Sequence, residues 1–255
     1  MRLRILGCGT SSGVPRIGND WGACDPAEPR NRRTRVSILV ETDTARILVD
    51  TGPDLRQQLL AADVGSVDAV LWTHDHADHT HGIDDLRQIF HARGGRPVPG
   101  FARSATATVL RDRFGYVTAG GGGYPATVDL AVLPDRLDFG DIAVRVVDQP
   151  HGDITSAGLR FSWQSFSIGY ATDFNILTDE MRELYEGVDI WVVDALRRAP
   201  HPTHPTLDQA VGWAAELGVG RAILTHMDQS MDYASLTAAL PPGIAPGYDG
   251  LEIRL

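Results

Sequence analysis

Short apolar runs, each closed by a polar residue or a glycine, recur along the chain and predict its strands. Arg2 to Leu6, Val36 to Glu41, Arg46 to Val49, Asp68 to Trp72, Ile142 to Val147, Leu159 to Ser162, Ser165 to Tyr170, Ile190 to Val193 and Arg221 to Leu224 have the length and side-chain types of strands. A helical spacing of apolar positions runs through Asp54 to Ala62, Ile83 to His91, Thr106 to Phe114, Thr178 to Glu186 and Leu207 to Leu217. Thr206 followed by Gln209 has the spacing of a capping box, so the last helix should begin there. Strands and helices interleave without an internal repeat, a low-complexity tract or a linker. The expectation is a mixed α and β fold, α/β or α+β, as a single domain over 1–255. The segment Gly94 to Tyr124, with Pro97, Pro99 and the run Gly120 to Gly123, breaks both periodicities. Ordering so much glycine is costly, so it reads as a mobile loop at a site mouth or a partner contact, or as plain surface loop.

Composition narrows the class. Apolar residues make up 43% and charged residues 22% of 255, ordinary for a soluble globular chain with a sizeable core. No apolar stretch approaches the ~18 to 20 residues of a membrane span. The opening Met1-Arg2-Leu3-Arg4-Ile5-Leu6 is too short an apolar run for a secretory signal, so a cytoplasmic location and no membrane partner are expected. Cys8 and Cys24 supply no disulfide framework and cannot form an all-cysteine zinc site; they read as reduced, semi-buried thiols. A formal charge of −10 argues against a long nucleic acid, whose phosphates need many Lys and Arg, but allows a small anion at a local positive centre.

That centre is suggested by Thr73-His74-Asp75-His76-Ala77-Asp78-His79, directly after the apolar run that ends at Trp72. His74, His76, Asp78 and His79 offer imidazole and carboxylate donors, which suit Zn²⁺ or Mn²⁺. A solvated His/Asp loop is the competing reading, but the run is internal and follows a buried-type strand. His151, Asp173 and His226 each lie just past a strand-like segment. Singly each would be an ordinary buried His or turn Asp; together with the cluster they complete two coordination sets.

These residues resemble the metallo-β-lactamase superfamily, with its His-x-His-x-Asp-His run followed by a separate His, Asp and His. Leu6-Gly7-Cys8-Gly9-Thr10-Ser11-Ser12-Gly13-Val14-Pro15 and Arg30 to Ser37 are similar to the phosphodiesterase branch typified by phosphoribosyl 1,2-cyclic phosphate phosphodiesterase, with tRNase Z more distant. The resemblance spans nearly the whole chain and implies a four-layer αββα sandwich. It implies two divalent ions, Zn²⁺ or Mn²⁺. His74, His76 and His151 would hold the first, Asp78, His79 and His226 the second, and Asp173 would bridge them. A water between the ions would become the hydroxide nucleophile. Cys24 has no cysteine partners, so the branch's additional cysteine-rich structural zinc site is not carried over. The short interval from His151 to Asp173 lacks the substrate-gripping arm of tRNase Z.

Asp50, in Leu48-Val49-Asp50-Thr51-Gly52, reads as a residue that orients an imidazole ligand, or else as a turn Asp. His204, in Pro200-His201-Pro202-Thr203-His204, resembles the family's mobile histidine and would serve as general acid or phosphate ligand. It is preferred to His201 because it lies nearer the capped helix. Asp78 and Asp173 belong with His204 in the expected catalytic set. Thr10, Ser11 and Ser12, with neighbouring N–H groups, are candidate phosphate contacts, or part of a tight turn. The sequence leaves open which of Arg30, Arg32, Arg33 and Arg35 points inward. His81 and Asp84 would begin a helix, with His81 beside the site without ligating, and His91 would be surface or packing.

The expected function is a dinuclear metal-dependent phosphodiesterase acting on a small or cyclic anionic phosphodiester; a homodimer is compatible with the chain. A carboxyl-ester, thioester or lactone hydrolase is the enzyme alternative, and a metal-dependent binding protein without turnover the non-enzyme one.

Overall fold

Alternation of buried side chains along the first few strands already requires a sheet covered on both faces. Leu3, Ile5, Ile38, Val40, Ile47, Val49 and Leu71 enter one apolar core, whereas Leu6, Leu39, Leu48, Val70 and Trp72 enter another. A strand buried on both sides reads as a continuous apolar run, as Ile38 to Val40, Ile47 to Val49 and Ala69 to Trp72 do, whereas Arg2-Leu3-Arg4-Ile5 still alternates.

The computed structural model describes residues 1–255. Its strands are β1 (Arg2–Gly7), β2 (Ser37–Glu41), β3 (Arg46–Val49), β4 (Ala69–Trp72), β5 (Val98–Ala102), β6 (Val128–Val132), β7 (Arg136–Phe139), β8 (Ile142–His151), β9 (Ile154–Trp163), β10 (Phe166–Ala171), β11 (Ile190–Asp194), β12 (Arg221–Thr225), β13 (Ile244–Pro246) and β14 (Glu252–Arg254). They form two seven-stranded mixed sheets, ordered β14-β1-β2-β3-β4-β5-β6 and β13-β12-β11-β10-β9-β8-β7. The helices are α1 (Leu55–Ala61), α2 (Ala77–Thr80), α3 (Leu86–Ala92), α4 (Ser104–Arg113), α5 (Gly115–Thr118), α6 (Asp179–Tyr185), α7 (Leu207–Glu216) and α8 (Tyr233–Ala239). Residues of α1, α3 and α4 share one core with the outer face of the first sheet; residues of α6 and α7 join the core of the second. The architecture is the four-layer αββα sandwich. No helix is long and apolar enough to cross a membrane.

The capping box at Thr206 and Gln209 forms as its spacing predicts: the Gln209 N–H donates to Thr206 Oγ1 and the Thr206 N–H to Gln209 Oε1. The helical run Ile83 to His91 divides into a 3₁₀ turn at Ile83–Asp85 followed by α3.

Gly94 to Tyr124 corrects the expectation of a loop. It contains β5, α4 and α5, and β5 lies inside the first sheet between β4 and β6. Pro99 is tolerated there because the Val98 N–H donates to Thr127 on the β6 side, so the Pro99 nitrogen faces β4, whose pairing starts one residue later at Gly100. Gly100 is itself required: a Cβ would come within 2.7 Å of the buried Trp72 ring and 2.8 Å of Val128. The short strands β6, β7 and β14 were also not legible, since their exposed positions dilute the apolar signal, and neither was β13, which is only three residues long and ends on a proline.

What positions the site is the set of strand ends. β3, β10 and β12 run into loops that carry Asp50, Asp173 and His226, β11 ends on Asp194, and β4 leads through His74 and His76 into α2, which carries Asp78 and His79. Asp50, Asp173 and His226 have φ of 64°, 56° and 56°, a left-handed conformation that non-glycine residues rarely adopt. Each turns the chain sharply off its strand, and such strain is concentrated at functional sites. β8 and β9 form a tight hairpin through Gly152 (φ 60°) and Asp153, which leaves His151 at its tip. The interval between His151 and Asp173 is filled by β9 and β10 alone.

Candidate metal centre

The structure brings the seven expected ligands together. Donor atoms of His74, His76, His151 and Asp173 lie within 4.8 Å of one another, as do those of Asp78, His79 and His226. Asp173 stands between the sets: its Oδ1 is 3.8 Å from His74 Nε2, 3.6 Å from His151 Nε2 and 3.5 Å from His226 Nε2, and its Oδ2 is 3.2 Å from His79 Nε2. Asp78 Oδ2 is 3.4 Å from His79 Nε2 and 3.7 Å from His226 Nε2. His74, His79, His151, Asp173 and His226 are buried, Asp78 is partly exposed, and His76 is exposed.

Three ring nitrogens turned toward these carboxylates, His74 Nε2, His79 Nε2 and His226 Nε2, are buried without a hydrogen-bond partner. Unpaired buried polar atoms are rare and costly; one divalent ion would satisfy His74 Nε2 and a second His79 and His226 Nε2. The donor set therefore fits the two-metal reading.

Charge in the cluster argues the same way. Burial pushes the Asp173 carboxyl up, but His226, His79 and His74 outweigh it and hold it well below the usual range. Burial pulls His79 down, but Asp173, Asp78 and Asp50 outweigh it and leave the imidazole well above its ordinary value; at His226 burial is outweighed by Asp173, Asp194 and Asp78, and the imidazole is raised to about 9. Burial lowers His74 and His151. The carboxylates favour protons on His79 and His226, and an ion bound there would compete with those protons.

The surrounding groups fix which nitrogen faces inward. Asp50, fully buried, accepts from the Thr73 N–H at 2.8 Å and the Thr73 hydroxyl at 2.8 Å, and its Oδ2 is 2.8 Å from His79 Nδ1. With the carboxylate on Nδ1, His79 presents Nε2 to the cluster. His151 Nδ1 donates to the Thr203 carbonyl at 3.0 Å, with the same consequence.

His204 also points in, with Nε2 3.9 Å from Asp173 Oδ1 and its ring stacked on His226 at 4.7 Å between centroids. Its Nδ1 is held 2.8 Å from Asp194 Oδ2, which also accepts the Asp173 N–H at 3.0 Å. The sequence reading missed Asp194, although a polar residue closing the apolar run Ile190 to Val193 is the same signal that marked Asp50. His201 stands next to His204, 5.0 Å between ring centroids, and its Nδ1 accepts from the Thr203 N–H at 3.3 Å.

The Gly9–Gly13 loop runs beside the His226 end of the cluster, where the Thr10 N–H donates to the Met227 carbonyl at 3.1 Å. The N–H groups of Gly9 and Gly13 are likewise taken, by the Thr34 and Thr10 carbonyls. Of the loop's backbone donors, only those of Ser11 and Ser12 remain for an anion, and both residues are exposed. The four arginines are engaged elsewhere. Arg33 is buried and donates to the Asp228 and Met231 carbonyls, Arg35 pairs with Asp54 at 3.0 Å, Arg30 lies over Tyr233 and Arg32 over Trp21. His81 packs its ring edge on Phe114 and His91 lies against Phe90; neither belongs to the ligand groups.

An αββα sandwich with a His/Asp metal cluster at its strand ends defines a class of metal-binding hydrolase. The chain belongs to the beta-lactamase superfamily domain family, whose model matches residues 45–227. It superposes on a solved structure of a new diphosphatase from the PhnP family with a TM-score of 0.90 at 36% identity, over 100% of this chain and 97% of that one. The Zn²⁺-bound PqqB from Methylobacterium extorquens shares the fold, with a TM-score of 0.78 at 19% identity and 100% of both chains covered. An octanoyltransferase of Porphyromonas gingivalis is 36% identical over 260 residues, taking in 99% of this chain and 51% of that protein. The chain thus spans about half the length of that relative.

Proposed function

We propose that the chain is a metal-dependent phosphodiesterase acting on a small phosphodiester, cyclic or open, or on the phosphoanhydride link that a diphosphatase takes. The observation that carries this reading is His204: a histidine backed by the Asp194 carboxylate, with Nε2 3.9 Å from the shared Asp173 and its ring beside His226 and His151. His74, His76 and His151 would hold one ion and Asp78, His79 and His226 the other, with Asp173 shared. When bound, the ions supply the positive charge that activates water and neutralises the phosphoryl oxygens. Asp194 keeps His204 Nδ1 occupied, so Nε2 is the atom from which a proton reaches a departing alkoxide. Asp50 and the Thr203 carbonyl hold His79 and His151 in register. The N–H groups of Ser11 and Ser12, the loop's two backbone donors without a backbone acceptor, would meet a non-bridging phosphate oxygen. A net charge of −10 supports a small anion over a long nucleic acid, and a cytoplasmic location belongs to the same proposal.

The octanoyltransferase relative supports a second reading, hydrolysis of a carboxyl ester, thioester or lactone on the same metal core. A turnover panel on Zn²⁺- or Mn²⁺-loaded protein separates the two: bis(p-nitrophenyl) phosphate, a cyclic nucleotide, a dinucleoside diphosphate, a thioester and a lactone. Turnover of the phosphorus substrates is expected. Turnover of the carbon esters alone overturns the first reading in favour of the second.

A further inference from the structure

We infer that Asp249 is a positioning residue whose carboxylate fixes the root of the Gly9–Gly13 loop, and with it the Ser11 and Ser12 N–H groups beside the metal cluster. This rests on the phosphate-binding reading of that loop.

On one edge, β1 is paired with β14 only as far as Arg4, opposite Glu252. Beyond it, Ile5 exchanges single bonds with Leu251 and Gly250, and no further strand covers that edge. The Asp249 side chain takes over there. Its Oδ1 accepts the Cys8 N–H at 3.1 Å, and its Oδ2 accepts the Thr34 N–H at 2.7 Å and the Thr34 hydroxyl at 2.6 Å. One carboxylate thus joins two segments that meet at the start of the loop. The two sides are met by different oxygens, so a side chain with a single oxygen would leave either the Cys8 or the Thr34 position without its acceptor.

Both tethered segments lead directly to the loop. The Thr34 carbonyl accepts the Gly9 N–H at 2.7 Å. The Cys8 carbonyl accepts the Met227 N–H at 3.0 Å, and the Met227 carbonyl accepts the Thr10 N–H at 3.1 Å. Cys8 to Thr10 are therefore clamped between Thr34 and the residue that follows the ligand His226, and Asp249 sets the spacing of the clamp. The approach is close enough that a Cβ on Gly7 would lie 2.0 Å from the Arg35 carbonyl and 2.6 Å from Thr34 Oγ1. If the tether is lost, the two exposed serine donors lose their fixed direction, while the metal ligands, carried by other strand ends, keep theirs.

The test measures binding of inorganic phosphate by calorimetry to metal-loaded wild type, Asp249→Ala and Asp249→Asn, alongside metal content and amide exchange at Gly9 and Thr10. Asp249→Ala should weaken phosphate about tenfold, the scale of a lost charge-assisted hydrogen bond, with metal content unchanged and faster exchange at both amides. Asp249→Asn, which restores one acceptor, should fall between and guards against a misfolded alanine variant. Wild-type phosphate affinity in both variants overturns the positioning role, even if their melting temperatures fall. No phosphate binding by the wild type overturns the phosphate reading itself, and the two failures are thereby distinct.

Discussion

Asp194 Oδ2 lies 2.8 Å from His204 Nδ1 and 3.0 Å from the Asp173 amide nitrogen, so one buried carboxylate orients both the proposed acid and the shared metal ligand. His204→Ala should then lose ~10²- to 10⁴-fold in rate on substrates with poor alkoxide leaving groups and much less on p-nitrophenyl esters. Asp194→Asn should show the same dependence on leaving group with a smaller loss, and the double variant should be little worse than His204→Ala alone. Losses that simply multiply would show that Asp194 acts through something other than His204. His201→Ala should change little in either assay.

Asp173→Ala should retain less metal than any single histidine-to-alanine variant of the cluster. Its two oxygens face His74, His151, His226 and His79, so its removal takes a donor from both sets and leaves the repulsion between two cations uncompensated. Elemental analysis after dialysis is the check, with two ions per chain expected for the wild type. A milder loss than for His74→Ala would argue against a bridging position.

Asp50 touches His79 from outside the cluster, so Asp50→Ala should weaken metal binding about 10- to 100-fold without removing a ligand. Asp50→Asn keeps an acceptor for the Thr73 N–H and tolerates the left-handed backbone better than alanine, so it should lose less. Competition with a chelator measures both, and equal losses would contradict the orienting role.

Asp249 carries a pH signature in stability. Burial raises its carboxyl to about 6, against the partly compensating bonds from Thr34 and Cys8. Arg4, Glu252 and Cys8 are the other charged or titratable groups near it. Because the folded chain holds this proton more tightly than the unfolded one, the contribution is fully present below the unfolded value near 4 and is lost as pH rises through about 6. Urea unfolding should therefore show wild type losing on the order of 2 kcal/mol relative to Asp249→Asn between those limits. Parallel stability profiles for the two proteins would contradict the shift.

Gly100→Ala should destabilise the fold by about 1 to 3 kcal/mol, since the added methyl meets the Trp72 ring and Val128 inside the sheet. Thermal unfolding reads this directly. An unchanged melting temperature would mean that β5 moves more easily than its place in the sheet implies.

Most of the long strands were legible because the middles of β2 to β4, β11 and β12 are buried on both faces and leave apolar runs, while β1 and β10 alternate apolar with polar or small residues. The ligands were legible because coordination chemistry restricts residue types and four of them sit within a single short run. Those features follow from local sequence, and the sequence by itself determined them. The tertiary structure alone decided that β5 crosses a glycine- and proline-rich stretch, because the acceptability of Pro99 depends on which neighbour its nitrogen faces. It alone decided that Asp194 serves His204, that the Thr203 carbonyl serves His151, and that Asp249 reaches across the chain to Cys8. Hydrogen bonds between residues far apart in the chain leave no periodicity or spacing to read, since their partners are chosen by where strand ends meet.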